Sequence, residues 1–215
     1  MLTPAQRERL VEWARGFGAE LGEAEVDAFD KLTAMLMAAN AHFNLTGLKT
    51  ADEIVDKHYI DSLAGHPHMG ARDFFLDIGT GAGFPGLPLK LAGPGRRALM
   101  LDGTEKKIRY VQSVISALGL EQASAMHQRA EDKGFQFGLK GQLDAVTARA
   151  VAKVSVLAKM AAPYLKPGGL LLLYKGVAEA EDAAGKSWPG FGTADIRYYE
   201  LPAGDRRALV LLRRT

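Results

Sequence analysis

The sequence predicts an α/β fold, a mostly parallel sheet flanked by an N-terminal helical extension, and three observations lead there. From Asp73 onward, short apolar runs alternate with helical stretches, the pattern of parallel strands joined by right-handed helical crossovers. The run FFLDIG (74–79) leads straight into TGAGFPG, a loop so poor in side chains that a ligand can lie against its backbone. The first seventy residues instead carry apolar positions at helical spacing. The expected organisation is an extension over 1–70 and one compact sheet domain over 71–215.

Each element has its own warrant. Thr3, Pro4 and Gln6 form a capping box with proline at the first helical position, and Leu10, Val11, Ala14 and Phe17 continue that helix until GFG interrupts it. A second helix is expected from about Glu23 to Asn40, with Val26, Phe29, Leu32, Met35 and Leu36 on one face. AHFNLTGLKT then connects to a third helix, capped by Thr50 and Glu53 and running to about Ala64. GHPHMGA reads as a linker. Strands are expected at 74–79, 98–103, 124–128, 143–149 and 170–176, and helices at 87–92, 104–119, 154–165 and around Glu179 to Lys186. TADIRYYEL and RALVLLRR are rich in β-formers and close in sequence, so they are expected to pair antiparallel.

Composition narrows the function. With 47% hydrophobic residues among 215, the chain can bury a sizeable core. It has no cysteine, which excludes disulfides, thiolate nucleophiles and cysteine–zinc sites. Lys and Arg outnumber Asp and Glu by 27 to 25, a balance too even to indicate nucleic-acid binding by itself. MLTPAQRERLVEW is charged too early for a signal-peptide core, and GLLLLY (169–174) is strand-sized, so a cytoplasmic protein with no membrane contact is expected. HPH (66–68) has proline between its histidines and no acidic cluster beside it, so no metal is expected. Nothing demands an oligomer, and a monomer is expected.

Ligands of such sheets bind beyond the carboxyl ends of the strands, which puts Gly79 to Phe84, Asp102, Ala130, Glu131, Arg149 and Lys175 on one rim. The glycine loop fails both common phosphate fingerprints. Phe84 stands where a dinucleotide motif needs its third glycine, and Gly86 is followed by Leu87 and Pro88 rather than by Lys and a hydroxyl residue. Asp77 precedes the loop, and Asp102 ends the second strand, where a carboxylate commonly holds ribose hydroxyls. A ribose without a phosphate, met by acids that suit a positive centre, suggests S-adenosylmethionine, although either aspartate alone could be a strand-end turn residue.

DIGTGAGFPGLPL, LDGTEKKIRYV, QRAED, TARAVA and YKG resemble, in order, the RsmG (GidB) family of 16S ribosomal RNA guanine-N7 methyltransferases, as do HFNLTGLKT and HYIDSLA. The resemblance covers nearly the whole chain. It implies a Rossmann-like class I S-adenosylmethionine-dependent methyltransferase fold with a seven-stranded sheet. It also implies methyl transfer to N7 of a guanine, expected to be guanine 527, in 16S ribosomal RNA or the small ribosomal subunit. By the same resemblance, cofactor binding falls on Gly79, Phe84, Ala130, Glu131 and Arg149, and Asp102 joins them through its ribose position. Two other readings stay open: an adenosyl-binding module that docks RNA or a protein without turnover, and a small-molecule methyltransferase.

The residue types that are missing also speak. Methylation at C5 of a pyrimidine uses a cysteine, and exocyclic amines usually meet an Asn/Asp-Pro-Pro-aromatic motif after strand four, where this chain has Ala148, Arg149 and Ala150. Guanine N7 carries a free lone pair and no proton to remove, so orientation and electrostatics suffice. Arg149 is the catalytic candidate, its fork able to hold guanine O6, a phosphate or the methionine carboxylate. Lys175 could contact the RNA backbone. In the extension Asn44, Thr46 and the helical pair His58 and Asp61 are substrate candidates, with turn-stabilising and structural roles as the alternative. Arg96, Arg97, Lys106, Lys107 and Arg109, with Arg213 and Arg214, form a basic set that could hold RNA phosphates.

Overall fold

The computed structural model describes residues 1–71 and 73–215. Its strands are β1 (Phe74–Ile78), β2 (Arg97–Asp102), β3 (Ala123–His127), β4 (Leu143–Arg149), β5 (Leu165–Lys175), β6 (Asp195–Glu200) and β7 (Arg206–Arg213). They form one seven-stranded sheet in the order β3-β2-β1-β4-β5-β7-β6. The first five are parallel, and β7 runs antiparallel between β5 and β6. The chain moves outward from β1 through β2 and β3, then returns to place β4 on the other side of β1. A crevice therefore opens at the carboxyl ends of β1 and β4, the switch point at which such sheets hold ligands.

Both faces of the sheet are covered, which is why β1 and β4 read as apolar runs. On one face Leu10 of the helix Pro4–Gly16 and Phe29, Leu32 and Leu36 of the helix Glu23–Phe43 share a core with Phe75, Met100 and Leu172. The N-terminal helices thus complete a sheet face. On the other face Leu157, Ala158 and Ala180, from the helices Val154–Ala161 and Val177–Ala183, pack against Leu76, Val146, Leu173 and Val210. The capping box forms as expected: Gln6 N–H donates to Thr3 Oγ, and Thr3 N–H to Gln6 Oε1.

Three departures from the sequence reading have physical causes. The third helix, 51–63, is not uniformly α-helical: Ala51–Ile54 and Asp61–Leu63 flank a π-helical segment, Val55–Ile60, where the Asp61 N–H reaches back to the Asp56 carbonyl. Such widened turns are frequent at functional sites. A short helix, Lys133–Gly138, lies between β3 and β4 in a stretch that shows no helical period. Its start is fixed by Asp132, which accepts the Phe135 N–H at 2.8 Å. Finally, Arg96 does not belong to the surface basic set. It is fully buried and donates to the carbonyls of Gly70, Leu89 and Met69, with the His66 ring beside it. Burial lowers its pKa, and the carbonyl cage takes the place of a carboxylate partner. Among the described residues no helix is long and apolar enough to cross a membrane.

Candidate functional site

A cleft of about 700 Å³ occupies the switch point. Its sheet-side wall is the loop after β1. Gly79 and Gly81 have φ of +68° and +59°, the left-handed region that favours glycine. A Cβ on Gly79 would stand 2.6 Å from Val151, whereas the space beside Gly81 is open. Asp102, at the end of β2, anchors this wall by accepting the Gly81 N–H at 2.9 Å and the Thr104 N–H at 2.8 Å. Beneath the loop, the fully buried Asp77 accepts from Thr147 Oγ at 2.9 Å and the Gly86 N–H at 3.0 Å. Burial pushes its carboxyl up to about 6.

The floor centres on Arg149, at the end of β4. Its Nη1 donates to the Asp61 carboxylate at 2.8 Å and to the Lys57 carbonyl at 3.0 Å, and its Nη2 to His58 Nδ1 at 2.9 Å. The π-helical segment carries Lys57 and His58, and Asp61 follows it directly, so the three partners arrive together. Tyr199, from β6, donates to the other Asp61 oxygen at 2.6 Å, and burial followed by the Asp61 charge raises its pKa. The His58 ring stacks on Phe84 of the glycine loop, 4.1 Å between centroids and 12° between planes. Burial, reinforced by the Arg149 charge, lowers the His58 pKa to about 3, so the ring is neutral at physiological pH.

Most of the expected site residues meet here. Gly79, Phe84, Asp102, Arg149, Thr46, His58, Asp61 and Lys175 all line the cleft. Lys175 is buried rather than solvated, its Nζ held by the Ala152 carbonyl at 2.6 Å and Glu179 at 3.0 Å. Asn44 stands apart. It ends the helix Glu23–Phe43 in the left-handed region, exposed and outside the cleft lining. Glu131 lines a second depression of about 500 Å³ with His127, Arg129 and Gly103, the residue after Asp102. Ala130 is buried beside it, its carbonyl accepting from Tyr164 and Gln136. Sequence reasoning did not single out Lys57, Tyr199 or Arg207, which also line the cleft. Lys57 is one residue from His58 and could have been suspected. Tyr199 and Arg207 arrive through the β6–β7 pairing, and no local signal marks them.

These residues fit S-adenosylmethionine. The open space beside Gly81 is a cradle that a side chain would fill, and the Asp102 carboxylate retains lone pairs for ribose hydroxyls. Arg149 uses three of its five N–H groups within the protein, leaving Nε and one Nη2 proton for an acceptor such as a carboxylate. Among the described residues, no group of three or more His, Cys, Asp or Glu side chains could hold a metal.

Comparison with known proteins shows the fold and the family. Solved structures share the fold at low identity: a SAM-dependent methyltransferase from Aquifex aeolicus (TM-score 0.53, 17% identity, 80% of this chain and 97% of that one) and an rRNA methylase from Streptococcus thermophilus (TM-score 0.51, 16%, 68% and 89%). Curated relatives are much closer in sequence. The ribosomal RNA small subunit methyltransferase G of Deinococcus radiodurans is 40% identical over 98% of this chain and 86% of its own length. That of Leuconostoc citreum is 38% identical over 89% of this chain and 84% of its own. The family model described as rRNA small subunit methyltransferase G matches residues 25–188, and the chain belongs to that family, GidB.

Proposed function

We propose that the protein is an S-adenosylmethionine-dependent methyltransferase acting on N7 of a guanine, expected to be guanine 527, in 16S ribosomal RNA. The observation that carries the reading is the convergence of the glycine loop, Asp102 and Arg149 on one cleft, in a chain whose relatives bear that ribosomal name. When bound, the cofactor supplies a methyl group on a sulfonium, which the N7 lone pair can attack as the carbon–sulfur bond breaks toward sulfur.

The chain's own residues hold and orient. Gly79, Gly81 and Phe84 would support the adenosyl group, Asp102 the ribose, and Ala130 and Glu131 the adenine edge beyond Gly103. The two uncommitted Arg149 donors would hold the methionine carboxylate, while Asp61, itself held by Tyr199, fixes the guanidinium. No proton leaves N7, so the neutral His58 has no general-base task. Lys57, Lys107, Lys175 and Arg207 line the cleft beside Arg149, and the first two with Arg207 are placed to meet RNA phosphates. Action as a monomer in the cytoplasm belongs to this proposal. Nucleoside analysis of 16S RNA from cells lacking the protein tests it: N7-methylguanosine at one position should vanish and return with the wild-type gene but not with Arg149→Ala. An unchanged content contradicts the proposal.

A further inference from the structure

The cleft contains a hydrogen-bond chain whose direction is fixed by donor chemistry. Arg149 can only donate, so the His58 Nδ1 that its Nη2 meets at 2.9 Å is the unprotonated ring nitrogen. The ring proton therefore sits on Nε2, which donates to Thr46 Oγ at 2.9 Å. The Leu48 N–H approaches the same oxygen at 3.3 Å. Both lone pairs of the Thr46 hydroxyl are then occupied, and its own proton meets no acceptor among the described residues. Thr46 is also held in place. The Asn40 side chain accepts the Thr46 N–H at 2.9 Å and donates to the Leu48 carbonyl at 3.1 Å, clamping the loop on both sides. The cleft wall contributed by the extension thus presents a rigid hydroxyl that can donate but not accept.

Building on the methyl-transfer reading above, we propose that Thr46 selects the target base, its hydroxyl donating to the carbonyl O6 beside N7 of guanine. On that edge guanine shows two acceptors, N7 and O6, whereas adenine shows N7 and an amino donor. N7 is consumed by the reaction, so O6 is the group left to distinguish the purines. A hydroxyl free to turn either way would take an adenine amino group as readily as a guanine carbonyl. One whose acceptor positions are filled by His58 and Leu48 would face adenine donor against donor, an unpaired contact that such sites reject strongly. Position agrees with chemistry. Thr46 lines the same cleft and lies one hydrogen bond from the ring that stacks on Phe84, yet it comes from the N-terminal extension and not from the glycine loop or β2, whose Gly81 and Asp102 suit the cofactor. Arg149 and His58 act through Thr46 as positioning residues, and the lone hydroxyl is the group that touches the base.

The test compares wild type, Thr46→Val and Thr46→Ser on small-subunit RNA carrying either guanine or 2-aminopurine at the methylated position. 2-Aminopurine keeps N7 and lacks O6. Wild type should favour guanine by about tenfold or more. Thr46→Val should lose about that factor on guanine and none on 2-aminopurine, so its ratio falls to about one. Thr46→Ser should restore the preference. The S-adenosylmethionine dissociation constant, measured by calorimetry, should stay within about twofold in both variants, which also reports an intact fold. A wild-type guanine preference retained by Thr46→Val overturns the assignment. So does a loss of cofactor affinity, which would put the hydroxyl on the cofactor. An equal loss on both RNAs with a shallower salt dependence of RNA binding would put it on a phosphate and overturns it as well. Wild type that leaves no N7-methyl group on the guanine RNA overturns the functional reading itself, and that failure is visible before any variant is compared.

Discussion

Arg149 binds His58 at 2.9 Å across ninety-one residues of sequence, and through this contact the end of β4 is tied to the π-helical segment of the N-terminal extension. The same guanidinium pairs with Asp61, whose side chain is only 8% exposed. Arg149→Ala would leave that carboxylate with Tyr199 alone and should cost about 3 kcal/mol of stability by urea unfolding. Arg149→Lys keeps the charge but cannot reach Asp61, the Lys57 carbonyl and His58 at once. It should therefore lose methyl transfer by about a hundredfold with a smaller stability loss.

His58 gives a second prediction. Its pKa falls from 6.5 to about 3 on folding, so the unfolded chain binds the extra proton between those values and stability is lost as pH falls through that window. His66, lowered to about 4 by burial and the Arg96 charge, acts in the same direction. Replacing His58 by Gln should flatten the acid limb of the unfolding free energy by up to about 1.4 kcal/mol per pH unit. A limb identical to that of wild type would contradict the neutral, buried imidazole.

Asp77 works with the opposite sign. Its carboxyl rises from 3.8 to about 6, so the folded state holds the proton more tightly and stability declines as pH rises from about 4 to 6. Asp77→Asn removes that decline while keeping an acceptor for the Gly86 N–H. The variant should be at least as stable as wild type at pH 7, by up to about 3 kcal/mol in thermal or urea unfolding.

The glycine loop supplies a fourth. A methyl on Gly81 meets nothing in the protein but must sit at φ +59°. Gly81→Ala should cost about 1–2 kcal/mol of stability. Its loss of S-adenosylmethionine affinity, measured by calorimetry, should be about tenfold or more, because the added methyl occupies the cradle. Equal affinity would show that the adenosyl group lies elsewhere.

What could be seen in the sequence was local, and what could not was tertiary. The parallel strands, the glycine loop and Asp102 carry their signal within a few residues; β1 to β4 lie within one residue of their expected bounds, whereas β5 begins at Leu165, five residues before the expected start. The polar clamp on Arg149 carries no such signal. Asp61 and His58 meet it from within and just after a π-helical segment that no spacing rule anticipates, and Tyr199, brought by a hairpin, holds Asp61 rather than the guanidinium. Arg96 looked like a surface cation because composition cannot reveal a cage of carbonyls. Lys133–Gly138 escaped notice because two glycines within six residues hide a helix held mainly by its cap. Asn44 takes the left-handed conformation that ends its helix, two residues before Thr46, which lines the cleft.

The most direct measurement is single-turnover incubation of the purified protein with methyl-labelled S-adenosylmethionine and small-subunit RNA, followed by nucleoside analysis. Label recovered as N7-methylguanosine from one position, with S-adenosylhomocysteine formed in equal amount, is the result the account predicts. Label in another nucleoside, or cofactor bound in the cleft with no transfer to RNA, would contradict it.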